Sequence, residues 1–254
     1  MMNGIDVSAW QDNINFVCVA KDGIEFVIIR AGGSDDGFYK DSCFEKNYAK
    51  AKAAGLHVGA YYIVGRNFTS EADGIADAKR FLALLKDKEF DMPVYLDIEI
   101  PRPEDRDGIT DACIAFCNYL EERNYYVGIY GSAVAGFVDR MDADRLKRFT
   151  FWVAQYSNSR PTYPPGYGIW QWTNSAVVSG VNGSVDMNIC YNDFPDTIIK
   201  YGMNGYKNSR KSNTTLAVEV INGEWGNGQE RYDRLTAAGY DYDAVQTIVN
   251  ELMY

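Results

Sequence analysis

The feature that most constrains the fold of this chain is an alternation of short apolar runs with helical patterns. Eight runs have the length and the β-branched or aromatic content of strands. They are residues 4–7, 26–30, 58–63, 93–99, 126–130, 151–156, 168–172 and 185–188. Helical patterns lie between several of them, at residues 43–54, 69–86 and 110–123. Because alternating strands and helices form parallel sheets, we predict an α/β fold, a modified TIM-type β/α barrel with eight strands and about five helices.

The composition changes near residue 200. Residues 200–213 are polar, with four basic and no acidic residues, which is typical of a linker. In the remainder of the chain, apolar residues recur at helical spacing over 215–222, 229–238 and 243–253. We therefore expect a barrel over residues 1–199, the linker over 200–213 and a small three-helix bundle over 214–254.

Charge and hydropathy argue against two classes of partner. The 254-residue chain has a net charge of -10, which disfavours nucleic-acid binding. No stretch reaches the roughly 18 apolar residues of a membrane span, so we expect no membrane insertion. The opening residues 1–6 have neither a basic flank nor an apolar run, so we expect no signal peptide and synthesis in the cytoplasm.

The cysteines and the single histidine limit the catalytic mechanisms that this chain could use. The 5 cysteines are odd in number and lack the Cys-x-x-Cys spacing of a zinc site, so we expect them to be reduced and mostly buried. The single histidine, His57, lies at a helix-to-strand junction, and we expect a structural role for it. One histidine excludes a multi-histidine metal site, and a serine triad is disfavoured because no Gly-x-Ser-x-Gly turn occurs. Any chemistry must then come from carboxylates, and no cofactor is expected.

Two carboxylates occupy alternate positions of the fourth predicted strand. Side chains two residues apart in a strand point to the same face, so Asp97 and Glu99 share a face opposite Leu96 and Ile98. Charges on a central strand would be costly if they were buried without purpose, whereas at the C-terminal end of a barrel strand they enter the usual active-site mouth. The alternative, an exposed edge strand, fits poorly because residues 93–96 are apolar.

Two further aspartates, Asp6 and Asp186, lie near the ends of the first and last predicted strands. Those strands are neighbours in a closed barrel, so both aspartates are predicted at the same mouth as Asp97 and Glu99. Two mechanisms fit such a cluster: glycoside hydrolysis by paired carboxylates, and a carboxylate-bound divalent metal acting on phosphate esters. The 19 tyrosines and 5 tryptophans modestly favour the first, because flat rings stack on the C–H faces of sugars.

Eight motifs carry a family resemblance. They are Gly4-Ile-Asp6-Val-Ser8 with Trp10-Gln11, Ile29-Arg30-Ala, Gly59-Ala-Tyr61, Leu96-Asp97-Ile-Glu99, Gly128-Ile-Tyr130, Trp152-Val-Ala-Gln155-Tyr156, Trp170-Gln171-Trp172 and Val185-Asp186-Met-Asn188. In this order they resemble the motifs of the glycoside hydrolase family 25 lysozymes. The resemblance implies N-acetylmuramidase activity, the cleavage of the β-1,4 bond from N-acetylmuramic acid to N-acetylglucosamine in bacterial peptidoglycan.

The resemblance also implies roles for these residues. Glu99 would be the general acid that protonates the glycosidic oxygen, with a pKa raised by partial burial and by the neighbouring Asp97. Asp97 would stabilise developing positive charge, either as a nucleophile or by orienting the 2-acetamido group of the sugar, and Asp6 and Asp186 would hold and tune this pair. The candidate substrate-binding residues are Arg30, Tyr61, Tyr130, Gln155, Tyr156, Trp170 and Trp172.

The tail, from Leu216 through Asn250, is similar to the cell-wall-binding repeat found on some phage lysozymes, a three-helix module that contacts muropeptides. The resemblance implies one such module in this chain. The candidate wall-contacting residues are Trp225, Asn227, Arg231 and Tyr240. The protein would then act at the cell wall after release by a holin, a membrane-permeabilising partner. No feature of the sequence specifies an oligomeric state.

Two other functions remain open from the sequence. A catalytically inactive wall-binding protein on a glycosidase scaffold would have no need of an intact acidic quartet. A metal-dependent carboxylate hydrolase would need it, and a chelator would inhibit such an enzyme, whereas a muramidase would keep its activity.

Overall fold

The computed structural model describes residues 1–99, 105–207 and 211–253. The chain forms two compact units, Met1–Lys207 and Asn208–Tyr254. Each unit has a hydrophobic core of its own.

The first unit is a closed barrel. Its strands are β1 (Met2–Val7), β2 (Phe26–Gly33), β3 (Tyr39–Lys40), β4 (His57–Ile63), β5 (Val94–Asp97), β6 (Val127–Ser132), β7 (Thr150–Ala154), β8 (Ile169–Ala176) and β9 (Val185–Cys190). The sheet order is β1-β9-β8-β7-β6-β5-β4-β2, and β1 closes it by pairing with β2. The barrel strands pair in parallel except at β9, which is antiparallel to both of its neighbours. The short β3 adds to the end of β2.

Helices surround this barrel. They are α1 (Phe16–Lys21), α2 (Phe44–Ala53), α3 (Glu71–Leu85), α4 (Arg106–Glu121), a π-helix (Ala135–Arg140), α5 (Ala143–Leu146) and α6 (Phe194–Tyr201). Ser70 and Asp105 cap the two longest helices of the unit, α3 and α4, by accepting a hydrogen bond from the backbone N–H three residues on. Helices α1 to α5 pack their apolar faces on the outside of the barrel, whereas Phe194 and Ile198 of α6 close the floor of its interior. In the part of the chain that the structure describes, no helix is long and apolar enough to cross a membrane.

The predicted barrel is confirmed, because all eight predicted strands are present in the predicted order. The three predicted helices of the barrel correspond to α2, α3 and α4. Strand β3, the π-helix and the helices α1, α5 and α6 are additional. They span two to eight residues each, too few to show a hydrophobic period.

Alternation along the strands separates the outer core from the barrel interior. Val27 of β2 packs towards the helices, whereas Phe26 packs inside. Gly4 and Gly128 leave room for interior rings, since a Cβ on Gly4 would lie 2.4 Å from the Phe26 ring and one on Gly128 would lie 2.5 Å from the Tyr95 ring. Large and small side chains thus fill the lower interior, and the C-terminal ends of the strands form an open mouth.

The first unit extends further along the chain than the sequence predicts. After α6, Asn204 is fully buried. Its side chain donates to the Met92 carbonyl oxygen at 3.0 Å and accepts from the Tyr126 backbone N–H at 2.6 Å. Residues 200–207 therefore belong to the barrel unit, and the prediction that a linker begins at residue 200 is wrong, because a polar composition does not reveal a buried amide. Residues 208–210 of that predicted linker lie outside the described part of the chain.

The second unit is a bundle of three helices, α7 (Asn213–Ile221), α8 (Gln229–Ala237) and α9 (Tyr242–Met253). Ser212 caps α7 by accepting from the Thr215 backbone N–H at 3.0 Å. The bundle has a small apolar core made of Leu216, Ala217, Val220, Leu235, Val245 and Val249. The three predicted helices are confirmed.

The structure places all five cysteines and the single histidine in the barrel unit. All five cysteines are free, and four of them are buried. His57 begins β4, and its Nδ1 lies 2.8 Å from Asp91 Oδ2. Asp91 Oδ1 also accepts from the Val58 backbone N–H at 2.6 Å. Since β4 begins at the end of the barrel opposite the mouth, His57 connects structural elements there.

Candidate active site

The carboxylates that the sequence singles out meet at the mouth of the barrel. Asp97 is the last residue of β5, and Glu99 follows it by two positions. Asp6 in β1 is the cross-strand partner of Asp186 in β9, so the prediction that these two are neighbours is confirmed. Asp6 acts electrostatically on Asp97, and Asp186 acts on Glu99, which makes the four residues one cluster. Among the described residues, no group of three or more His, Cys, Asp or Glu is arranged to hold a metal ion.

Asp6 and Asp186 behave as a pair. Asp6 is 6% exposed, and its Oδ2 accepts from Gln171 Nε2 at 2.9 Å and from Asn188 Nδ2 at 2.8 Å. Burial and the adjacent Asp186 raise the pKa of Asp6 to about 8, and the two amide donors oppose this rise. Burial also raises the pKa of Asp186, while its hydrogen bond with Asp6 lowers it. Two carboxyl groups on paired positions of neighbouring strands disfavour double ionisation, which supports a proton shared between them.

Two amides connect this carboxyl pair to aromatic donors. Gln171 Oε1 accepts from the hydroxyl groups of Tyr130 at 2.9 Å and Tyr156 at 3.0 Å. Asn188 Oδ1 accepts from the indole N–H of Trp152 at 2.7 Å. Because each amide oxygen faces a donor, each amide nitrogen faces the carboxylate. The network therefore fixes the orientation of the carboxyl group from two sides.

Asp97 is a buried carboxyl group with one oxygen that has no hydrogen-bond partner among the described residues. It is 5% exposed, and the oxygen in question is Oδ1. Burial first, and then the charges of Glu99 and Asp6, raise the pKa of Asp97 well above its ordinary value, while Arg30 opposes the rise. A strongly shifted pKa together with an unpartnered buried oxygen is typical of a functional group that meets a ligand.

Glu99 is exposed to the solvent of the mouth. The walls of the mouth still exclude part of the water around it, which raises the pKa of Glu99, and the charges of Asp186 and Asp35 raise it further. The sequence predicts that Asp97 contributes to this rise. The structure shows the effect in the other direction, because the charge of Glu99 raises the pKa of Asp97, which is the more deeply buried carboxyl group.

The π-helix after β6 brings a positive charge to Glu99. Its Gly136 donates from the backbone N–H to Ser132 Oγ at 3.0 Å. A Cβ on Gly136 would lie 3.0 Å from the Gly131 Cα, so the helix packs directly on the end of the strand. Arg140 is the last residue of this helix, and its guanidinium group lowers the pKa of Glu99. Single π-helical turns are frequent at functional sites.

A second positive charge is held beside Asp97. Arg30 of β2 donates from Nε to Asp41 Oδ2 at 2.9 Å. Asp41 is 3% exposed and also accepts from the backbone N–H groups of Ala9 at 3.0 Å and Cys43 at 2.9 Å. These contacts fix Arg30 in place, and its charge lowers the pKa of Asp97.

Three of the predicted substrate-binding residues, Tyr61, Tyr130 and Tyr156, lie around the carboxylates. The rings of Tyr61 and Tyr130 pack on Trp152, with centroids 6.1 Å and 4.5 Å away. Tyr156 is 53% exposed. Burial of its hydroxyl group and the nearby charge of Asp186 raise the pKa of Tyr156 to about 12. An exposed ring with an anchored hydroxyl group is suited to contact a sugar.

Two other predicted substrate-binding residues have partners within the barrel unit. Gln155 Nε2 donates to Ser157 Oγ at 3.2 Å and to the Ser159 carbonyl oxygen at 3.0 Å. Trp170 is 6% exposed, and its Nε1 donates to the Gln155 carbonyl oxygen at 2.9 Å. Both residues therefore brace the loop after β7, a role that the sequence does not reveal. Trp172 lies in an irregular part of β8, is partly exposed and remains a candidate for sugar contact.

Sequence reasoning assigns no role to several residues that shape this site. They are Asp35, Asp41, Arg140, Gln171 and Asn188. A signal for Gln171 and Asn188 is present, since strand alternation places them on the same interior face as the predicted aspartates. The other three lie on segments whose path depends on tertiary packing.

In the second unit, Arg231 links the helices. It donates to the Gly226 carbonyl oxygen at 3.2 Å, to Asn227 Oδ1 at 3.0 Å and to Gln246 Oε1 at 3.1 Å. Two of the predicted wall-contacting residues, Asn227 and Arg231, are thus in direct contact.

The other two predicted wall-contacting residues, Trp225 and Tyr240, are also in contact. Their rings pack edge to face with centroids 5.9 Å apart. Trp225 donates from its indole N–H to Glu219 Oε2 at 2.9 Å. Because Trp225 directly precedes Gly226, all four predicted residues gather around the turn between α7 and α8.

Comparison with known proteins gives matches to both units. Residues 5–181 match the glycosyl hydrolases family 25, and residues 214–253 match the CW_7 repeat. The lysozyme of Streptococcus phage Cp-7 is 31% identical over 225 residues, which cover 86% of this chain and 61% of that protein. The autolytic lysozyme of Clostridium acetobutylicum is 28% identical over 186 residues, which cover 73% of this chain and 55% of that protein.

A solved structure agrees with these matches. The bacterial lysozyme from Streptomyces coelicolor has a TM-score of 0.64 and 29% identity, and the alignment covers 75% of this chain and 92% of that chain. The chain spans only 61% and 55% of the length of the two curated relatives. The family match nevertheless includes most of the barrel, with Asp6, Asp97 and Glu99. This chain therefore belongs to the glycosyl hydrolases family 25.

Proposed function

We propose that this protein is a muramidase that hydrolyses the β-1,4 bond between N-acetylmuramic acid and N-acetylglucosamine in bacterial peptidoglycan. The observation that carries the proposal is the cluster of Asp6, Asp97, Glu99 and Asp186 at the barrel mouth of a family 25 chain. The names of the relatives, which are lysozymes, support the same bond type. The CW_7 match of the second unit supports the cell wall as the place of action.

Glu99 acts as the general acid. Its raised pKa favours the protonated form that a general acid needs, and its exposure lets it reach the glycosidic oxygen of a bound glycan. Arg140 limits the rise of this pKa, so that the group can also release its proton. After the leaving sugar departs, the Glu99 carboxylate accepts a proton from the attacking water.

Asp97 assists the sugar 2-acetamido group in this proposal. Burial raises the pKa of Asp97, which disfavours the carboxylate form that direct nucleophilic attack would need. Its unpartnered Oδ1 can accept the acetamido N–H. The acetamido oxygen then bonds to the anomeric carbon while Glu99 protonates the leaving oxygen and the glycosidic bond breaks. Water opens the resulting oxazolinium ion, and the product retains the β configuration.

The Asp6–Asp186 pair supplies one negative charge beneath the reacting sugar. Because the two carboxyl groups share a proton, they stabilise the positive charge of the transition state without the mutual repulsion of two carboxylates. Gln171 and Asn188 keep Asp6 aligned for this role.

The second unit binds the cell wall in this proposal, through Trp225, Asn227, Arg231 and Tyr240. The contacts that gather these residues around one turn support a common surface for a muropeptide. A single module gives no gain from multivalency within one chain. Release to the wall by a membrane-permeabilising partner of the holin type belongs to the same proposal, since one relative comes from a phage.

The test is reducing-sugar release from purified peptidoglycan. We expect the wild type to release reducing ends equally with and without EDTA, and Glu99→Gln to abolish release while wall binding persists. Glu122→Gln is the matched control, because Glu122 has a side chain that is 71% exposed at the end of α4. Inhibition by EDTA would favour a metal-dependent hydrolase, and wall binding without release by the wild type would favour an inactive binding protein.

The stereochemistry of the product tests the role of Asp97. NMR of the first product anomer should show retention, and an inverted product would contradict both the acetamido-assisted and the covalent route. A covalent sugar adduct on Asp97, detected by mass spectrometry, would replace the assisted route with direct displacement.

A further inference from the structure

Trp10 stands out among the aromatic residues at the mouth. It lies on the turn that follows β1, and it is 84% exposed. Burial of a large indole ring lowers the free energy, so a tryptophan that stays exposed on an ordered turn is a candidate for a binding role. The residues of the barrel that the structure describes leave this ring largely uncovered, whereas they bury Trp152 and Trp170 of the same unit.

The turn that carries Trp10 is held firmly. The backbone N–H of Trp10 donates to Ser8 Oγ at 3.2 Å, and that of Gln11 donates to the Ser8 carbonyl oxygen at 3.1 Å. In return, Gln11 Oε1 accepts from the Ser8 backbone N–H at 3.1 Å. The backbone N–H of Ala9 donates to Asp41 Oδ2 at 3.0 Å. Four hydrogen bonds thus fix a segment whose aromatic side chain points into solvent.

This turn is connected to the catalytic cluster. The Asp41 oxygen that accepts from the turn also accepts from Arg30 Nε at 2.9 Å. The charge of Arg30 in turn lowers the pKa of Asp97, and Trp10 follows Asp6 by four residues. The backbone at Trp10 is therefore held in a defined place at the end of β1, in the segment that directly follows the strand of Asp6. A backbone that is already ordered loses little conformational entropy when its side chain binds a ligand.

We propose that Trp10 is the stacking platform of a further sugar subsite, which binds a hexosamine ring of the same glycan strand away from the bond that is cleaved. This inference rests on the proposed function, because the occupant is the continuation of the substrate. The apolar C–H face of a pyranose ring matches an exposed indole face, and a neutral sugar avoids repulsion by the acidic mouth. The subsite favours polymeric glycan over short fragments.

The kinetic test compares Trp10→Ala with the wild type on glycan strands and on the shortest oligosaccharide that is cleaved. We expect KM for the strands to rise about tenfold, the size of one lost stacking contact, with kcat nearly unchanged. The shortest oligosaccharide should be cleaved equally by both. Trp10→Phe should restore most of the affinity, and Tyr201→Ala, which removes an exposed ring from α6, should change nothing.

An unchanged KM for Trp10→Ala on glycan strands would overturn the inference. So would an equal loss on the shortest oligosaccharide, because that result would indicate a displaced active site. Binding of N-acetylglucosamine oligomers to Glu99→Gln, followed by tryptophan fluorescence, separates this inference from the proposed function. One outcome would support the subsite and contradict the hydrolase proposal. In that outcome Trp10→Phe weakens the binding a little, Trp10→Ala weakens it more, and the wild type releases no reducing ends.

Discussion

Gln171 joins the buried Asp6 to the exposed Tyr156. Its Nε2 donates to Asp6 Oδ2 at 2.9 Å, and its Oε1 accepts from the Tyr156 hydroxyl group at 3.0 Å. One amide therefore sets the orientation of an exposed ring at the mouth and of a buried carboxyl group with a raised pKa. A sugar that moves Tyr156 would act on the carboxyl pair through this contact.

Gln171→Met keeps the length of the side chain and removes both hydrogen-bonding ends. A hydrogen bond to a charged group contributes roughly 1.5–3 kcal/mol, so kcat/KM for reducing-end release should fall about 10- to 100-fold. Gln229→Met is the matched control, since Gln229 is an exposed residue of α8. Equal kcat/KM values for the wild type and Gln171→Met would show that the amide does not orient the site.

Asp186→Asn should shift the pH dependence of activity. The charge of Asp186 is the largest cause, after burial, of the raised pKa of Asp6, which is about 8. Asparagine removes that charge and offers an N–H donor, so the pKa of Asp6 should fall. The limb of the kcat/KM profile on which activity declines with rising pH should then move to lower pH. Asp196→Asn on α6 is the control, and a limb that stays in place in Asp186→Asn would contradict a shared proton.

The same carboxyl group makes a prediction about stability. The pKa of Asp6 is about 8 in the folded protein, against an ordinary value of 3.8. Folded protein therefore binds this proton more tightly than unfolded protein does, and the stabilisation is complete below the lower value and is lost as the pH rises to about 8. Asp6→Asn should flatten this decline in the free energy of unfolding, measured by urea titration at a series of pH values. If the free energy of unfolding of Asp6→Asn declines with pH as steeply as that of the wild type, other groups cause the decline.

The strands could be predicted from the sequence because successive side chains of a barrel strand alternate between the interior and the surrounding helices. Val27 packs outward and Phe26 inward, and the same alternation aligns Asp6 with the interior. The predicted positions of the carboxyl groups follow from this period alone. The identity of their partners does not, because Asp35 and Arg140 lie on segments without a strand period.

Long-range packing explains the remaining differences. The polar residues 200–207 are typical of a linker, yet Asn204 is buried and makes hydrogen bonds to segments far away in the sequence. Gln155 and Trp170 belong to motifs that predict substrate contact, and both brace the loop after β7. In each case the side chain makes a hydrogen bond to a backbone group, which no local pattern of the sequence records.

Arg140→Gln should raise the pKa of Glu99. The guanidinium group of Arg140 opposes the effects of burial and of the neighbouring carboxylates, so its removal favours the protonated acid. The titration of the Glu99 side chain, followed by 13C NMR and assigned with Glu99→Gln, should move to higher pH. Arg148→Gln is the control because Arg148 pairs with Glu121 on the outside of the barrel. A titration that moves equally in both variants would indicate a general effect of net charge.

His57→Gln should reduce stability in a pH-dependent way and leave the active site unchanged. The hydrogen bond to Asp91 raises the pKa of His57 above its ordinary value of 6.5, so the folded protein binds this proton more tightly than the unfolded protein. The resulting stabilisation is complete below pH 6.5 and is lost as the pH rises through the raised pKa. The difference in Tm between the variant and the wild type should therefore be larger in acid than in alkali. Since His57 lies at the end of the barrel opposite Glu99, kcat at a temperature where both proteins are folded should be the same. A larger stability difference in alkali would mean that the neutral imidazole, and not its charged form, stabilises the start of β4.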